Sequence, residues 1–109
     1  MRTELTDHRG WTVVTVVGAV DVATAPQLRS TLQEVQFGGA PRLVIDLDAV
    51  EFLDSFGLGV LVGAVKRARS QDADLALRVT RDRLRHLLEV TRVDTIVRTV
   101  AELDELPDA

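Results

Sequence analysis

The chain of 109 residues has no cysteine, no tyrosine, two histidines, and a single tryptophan and methionine. Each shortage excludes a class of protein. Without cysteine there is no disulfide framework, no thiol nucleophile and no thiolate ligand for zinc or an iron–sulfur cluster. His8 and His86 are too few for a histidine-built metal centre. No apolar run approaches the ~20 residues that a membrane-spanning helix needs. Met1-Arg2-Thr3-Glu4 does not open a secretory leader. A cytoplasmic protein without membrane insertion is therefore the natural reading. What remains is ordinary globular material, 46% apolar and 28% charged. The length suits one domain, and residues 1–109 read as a single unit without repeats or linkers.

The net charge of −4 argues against wholesale nucleic-acid binding. Charge is unevenly spread. Nine basic residues face five acids between Lys66 and Arg98, whereas Glu102 to Asp108 holds four acids and no base. Solvated helix faces and a soluble tail explain this pattern, and so does a basic face for an acidic partner or a nucleotide.

Trp11 to Val17 is dense in β-branched residues and reads as a strand, paired with one around Leu5 through a turn at Arg9-Gly10. Thr24-Ala25-Pro26-Gln27 has the pattern of a capping box, and the helix it opens ends at Gly38-Gly39. Arg42 to Leu47 is a buried strand that Val50 to Leu53 extends. Leu58, Leu61, Val62, Val65 and Ala68 share one helical face. Asp74 to Val79 alternates as a strand, and Thr80 is placed to cap a helix carrying Leu84, Leu87 and Leu88. Ile96-Val97 reads as a last strand, and Val100, Leu103 and Leu106 as a terminal helix stopped by Pro107. This alternation predicts an α/β fold: a mixed sheet with helices packed mainly on one face. The expected core is Val14, Val16, Leu28, Leu32, Leu43, Ile45, Leu58, Leu61, Val62, Leu75, Leu77, Leu84 and Leu88.

The informative stretch runs from Asp46 to Leu61. It sets Ser55 between a strand and a helix N-terminus, where free amides and the helix dipole favour an anion. The plainest role for Asp54 or Ser55 is a helix cap. A hydrolase is poorly supported, because Leu53-Asp54-Ser55-Phe56-Gly57 lacks the first glycine of a nucleophile elbow. Gly57-x-Gly59-x-x-x-Gly63 misses the dinucleotide spacing by one residue, and close helix packing accounts for it. Asp46, Asp48, Glu51 and Asp54 contain oxygens suited to Mg²⁺, but loop carboxylates are usually just solvated. No catalytic residue, cofactor or metal is expected.

Phe52-Leu53-Asp54-Ser55-Phe56-Gly57-Leu58-Gly59-Val60-Leu61 resembles the signature of bacterial STAS-domain anti-sigma factor antagonists, an Asp-Ser-(Ser/Thr)-Gly-Leu-Gly motif between strand and helix. Gly18-Ala19-Val20-Asp21-Val22-Ala23-Thr24-Ala25 resembles the family's other marker, Gly-x-(Leu/Val)-Asp ahead of the first helix. The resemblance implies a non-enzymatic switch. By that resemblance, an anti-sigma factor that is also a serine kinase would phosphorylate Ser55, and a PP2C-type phosphatase would reverse the reaction. Binding of the unmodified form would then free a sigma factor. The implied partner-binding residues are Asp21, Thr24, Asp54, Ser55, Phe56, Gly57 and Leu58. Phe56 departs from the pattern, which has a small hydroxylated residue there. Either it anchors a partner as an exposed aromatic or it is buried as structure. STAS domains also serve as subunits of lipid-transport ATPase complexes, where the serine need not be modified. A nucleotide site along the basic stretch is a third reading, without a phosphate-cradling loop to support it.

Overall fold

The computed structural model describes residues 1–108, in which the alternating pattern becomes a five-stranded sheet. β1 (Arg2–His8) and β2 (Trp11–Val20) form the expected hairpin. Both residues of its turn have positive φ, Arg9 at 53° and Gly10 at 87°, the backbone that matches the twist of paired strands. Then follow α1 (Ala25–Phe37), β3 (Arg42–Leu53), α2 (Ser55–Ser70), β4 (Asp74–Arg78), α3 (Asp82–Val90) and β5 (Arg98–Val100). Strand order in the sheet is chain order. β1 is antiparallel to β2, and all later pairings are parallel.

All three helices bury their apolar stripes in one core against the same sheet face. Leu28 and Leu32 of α1, Leu61 and Val65 of α2, and Leu84 and Leu88 of α3 meet Val14, Val16, Leu43, Ile45 and Leu77 there. Right-handed crossovers between parallel strands place successive helices on one side in this way. The other face carries a smaller cluster of Trp11, Val13, Val44, Ala76 and Val100, covered by Leu106 and Leu103 of the C-terminal segment. Trp11 Nε1 donates to the Pro107 carbonyl at 2.8 Å and fixes that segment in place.

β3 is the long strand, and it carries two extra residues relative to β2. The register slips between Thr15/Val17 and again between Gly18/Ala19. Bulges of this kind bend a strand and increase its twist. They also explain the spacing of the buried residues, which changes from Leu43, Ile45, Leu47 to Val50 and Leu53. Asp46 and Asp48, beside the first bulge, are held from β4. Asp46 pairs with Arg78 at 3.1 Å, and Asp48 accepts from the Thr80 amide and hydroxyl at 2.8 and 2.7 Å.

Several local expectations are corrected. β2 does not stop at Gly18 but continues to Val20. Thr24 occupies the N-cap position of α1 without a side-chain cap, because its hydroxyl donates to Ala19 O. Thr80 does not cap α3 either; Asp48 claims its hydroxyl, and Arg81 holds the N-cap position. The last strand is Arg98–Val100, not Ile96-Val97, which closes a 3₁₀ turn at Val93–Thr95 and drops into the core. The terminal helix is only the 3₁₀ turn Leu103–Glu105. Leu58, Val62 and Leu75 border the core half-buried and do not lie within it.

Candidate functional site

Parallel strands end together, so the loops after β2 and β3 emerge side by side. Val20 pairs with Leu53, and the Asp54 amide donates to Val20 O at 3.2 Å. This juxtaposition brings the two sequence markers together. Asp21 and Thr24 lie on one loop, and Asp54 to Leu58 on the other.

Asp54 is the cap of α2. Its extended backbone turns the carboxylate over the first turn, where Oδ1 accepts from the Phe56 and Gly57 amides at 2.9 and 3.1 Å. The amides expected to greet an anion on Ser55 are therefore already used. Ser55 itself is exposed, and no hydrogen bond engages its hydroxyl among the described residues. The division of labour is clear: one side chain builds the turn, and the next is left free.

Asp21 shapes the neighbouring loop. Its Oδ1 accepts from the Ala23 and Thr24 amides at 2.9 and 3.1 Å. Thr24 closes the same loop through Ala19 O at 2.9 Å. Both side chains are thus spent within the loop, which leaves Val22 and Ala23 as its exposed residues. Gly57 faces inward. A Cβ there would stand 2.5 Å from Leu53 Cδ1 and 2.8 Å from Val20 Cγ1. Leu58 is half-buried against the core. The outward surface of the motif is accordingly Ser55 and Phe56, and Phe56 is 56% exposed.

The other sequence readings find no geometry. His8 lies at the hairpin, where its ring pairs with Asp104 at 3.0 Å. That hairpin begins β2, and Ser55 follows the opposite end of the parallel strands. His86 is exposed on α3. Gly59 has nothing within 4 Å of a notional Cβ, so close packing explains Gly57 alone. Asp46 and Asp48 are committed to Arg78 and Thr80. Among the described residues no cluster of three or more acidic or histidine side chains is placed to hold a metal ion. Arg67 lies about 18 Å along α2 from Ser55 at 1.5 Å per residue. Its Nε donates to Gln36 of α1 at 2.8 Å. Burial, and then the neighbouring Arg29, pull its pKa below the ordinary value.

Comparison with known proteins decides the family. The STAS domain family model matches residues 2–106. The chain belongs to the STAS domain family. A Listeria monocytogenes protein named anti-sigma-B factor antagonist is 39% identical over 92 residues, covering 84% of this STAS domain and 78% of the relative. A Staphylococcus aureus protein of the same name is 35% identical over 78 residues, 72% of each chain. The solved structure of an anti-sigma factor antagonist from Mycobacterium paratuberculosis is 33% identical and superposes with a TM-score of 0.81, covering 95% of this STAS domain and 88% of that one. No helix among the described residues is long and apolar enough to cross a membrane.

Sequence reasoning missed two surface residues of this STAS domain. Val22 and Phe52 are 61% and 53% exposed. Val22 stands inside the quoted marker but was not marked out. Phe52 sits in the run Val50 to Leu53 that reads as a continuation of the buried strand, and the second bulge turns it away from the core.

Proposed function

We propose that this STAS domain is an anti-sigma factor antagonist whose binding is switched by phosphorylation of Ser55. Its partner is an anti-sigma factor with serine kinase activity, and a PP2C-type phosphatase restores the unmodified form. The observation that carries the reading is the free, exposed Ser55 hydroxyl beside a cap already completed by Asp54. The relatives' names, anti-sigma-B factor antagonist, support the partner class.

The physics of the switch follows from that geometry. A phosphate adds about −1.5 to −2 charge. The two amides nearest it are bonded to Asp54, so the new charge is not absorbed by the helix end. It projects into the contact surface beside a carboxylate. A partner packed against Ser55 must then bury a poorly paired dianion, at a cost of about 3 kcal/mol or more. That is a loss of more than a hundredfold in affinity. The fold need not change, because the hydroxyl supports nothing. The protein supplies no base, metal or nucleotide, only an acceptor on a rigid turn.

The test is a binding assay with the host's anti-sigma factors, using Ser55→Ala and Ser55→Asp, with mass spectrometry to place any phosphate after incubation with ATP. The expected result is tight binding by the alanine variant, weak binding by the aspartate variant and phosphate on Ser55. Equal, tight binding of both variants, or phosphate on Thr24 or Ser70 with Ser55 unmodified, refutes the reading.

A further inference from the structure

Large apolar side chains left exposed singly are ordinary on a protein surface; a contiguous group is not. Two such residues, Phe52 and Val90, line one groove, and Val22 and Phe56 are exposed on the two loops that meet at the end of β2 and β3. Val22 follows β2, Phe52 ends β3, Phe56 opens α2, and Val90 of α3 lines a groove with Phe52. The groove holds about 420 Å³ between the end of β3 and α3. Leu87 forms part of its floor, and Arg83, His86 and Glu51 form its rim.

The α3 sequence explains the groove. Leu84 and Leu88 turn into the core. Arg83, His86, Leu87 and Val90 recur at the three- and four-residue spacing of a second face, which is half apolar and half polar, with one fixed positive charge at Arg83. Phe52 of β3 lines the groove together with this face. Among the described residues neither Arg83 nor His86 has an acidic partner within 4 Å, and Glu51 is the one acid on the rim.

Resting on the function proposed above, we propose that this groove docks an acidic, amphipathic segment of the anti-sigma factor, separately from the phosphoacceptor turn. The chemistry selects that occupant. Phe52 and Val90 call for apolar anchors, and the unpaired Arg83 calls for a carboxylate beside them. A second copy of this chain offers the rim one acid, Glu51, against Arg83 and His86, a poorer match than an acidic segment. Leu53 of the groove ends β3 directly before the Asp54–Ser55 turn, so a segment seated there holds the kinase near its acceptor. Docking energy of this kind is gained equally before and during phosphoryl transfer, so it governs KM and leaves kcat alone.

The experiment uses whichever purified anti-sigma factor of the host binds the wild-type chain. Its Kd and its kinetics of Ser55 phosphorylation are measured against wild type, Arg83→Glu, Val90→Asp and the milder Val90→Ser, with circular dichroism and melting curves to verify folding. Val90 is 59% exposed, so these changes leave the core intact. The expected result is that Arg83→Glu and Val90→Asp each weaken binding about tenfold and raise KM by the same factor with kcat unchanged, Val90→Ser following in smaller degree. Unchanged affinity, or a fall in kcat alone, overturns the proposal. So does wild-type self-association in the ultracentrifuge that Val90→Asp abolishes, since the occupant is then a second copy. If Ser55→Asp abolishes binding while the groove variants bind normally, the switch stands and the groove falls. If no anti-sigma factor binds the wild-type chain, both fall.

Discussion

Two glycines, two residues apart on α2, respond to alanine in opposite directions. A Cβ at Gly57 meets Leu53 Cδ1 at 2.5 Å, Val20 Cγ1 at 2.8 Å and Val20 O at 3.1 Å. The first two contacts are below any separation that real Cβ atoms adopt. The side chains are confined, with Val20 fully buried and Leu53 nearly so. The third contact is backbone, and that same carbonyl accepts from the Asp54 amide. Overfilling such a site costs ~1–3 kcal/mol. Alanine's helical advantage over glycine, up to ~1 kcal/mol, offsets part of this. From the middle of the overfilling range, a net loss of about 1 kcal/mol is expected for Gly57→Ala. At Gly59 nothing lies within 4 Å, so Gly59→Ala keeps the helical gain of about 0.5–1 kcal/mol. The helical gain is common to both, so the variants are separated by the overfilling cost, about 2 kcal/mol. That is roughly 10 °C or more in melting temperature for a domain of this size. Urea unfolding measures the difference as a shift in midpoint at constant slope. A Gly57→Ala protein as stable as Gly59→Ala would show that the β3–α2 corner yields freely, and the account of Gly57 would be wrong. The corner also aims Ser55, so Gly57→Ala weakens partner binding more than its stability loss alone explains.

Removing the cap by Asp54→Ala costs about 1 kcal/mol in urea unfolding, and Asp54→Asn recovers most of it, since the amide oxygen still accepts from Phe56 and Gly57. Burial raises the pKa of Asp48, but the Thr80 hydroxyl and amide, then Arg78 and Arg81, outweigh it and hold the group below its ordinary 3.8. A depressed carboxylate stabilises the fold above its unfolded value and loses that contribution as pH falls through its folded value. The stability gap between wild type and Thr80→Val is therefore steady near neutrality and shrinks below about pH 4; a gap that widens on acidification contradicts the assignment. Leu106→Ala opens a void over Trp11, costs about 2–3 kcal/mol and shifts tryptophan emission to the red, which fluorescence-monitored unfolding reads directly.

Much of the fold was legible because apolar spacing survives where burial is one-sided. The hairpin at Arg9-Gly10 and the strand Arg42 to Leu47 emerged as read, and of the stripe on α2 Leu61, Val65 and Ala68 are buried. Legibility failed where a side chain found a distant partner. Thr24 and Thr80 have the composition of caps, yet Ala19 O and Asp48 claim their hydroxyls, and local pattern contains nothing of either. The end of the chain failed for a related reason. Val100, Leu103 and Leu106 have helical spacing, but what they cover is the far face of the sheet around Trp11. At the site, Ser55 and Asp54 were found by their place at a strand–helix junction. That the cap belongs to Asp54, leaving Ser55 free, required the geometry. Val22, Phe52 and the α3 groove were missed, since an exposed apolar residue and a buried one look alike in sequence.

A sheet whose strand order is chain order has a consequence for how it assembles. Each strand docks on the one made just before it, so every pairing closes a short loop and the entropic cost is met in small instalments. The exception is the tail. Trp11 meets Pro107, and His8 meets Asp104, across 96 positions of chain. Such contacts become favourable only after the sheet between them exists. The tail covers the face of the sheet opposite the helices, so an opening confined to it leaves the helical layer, with Ser55 on it, folded.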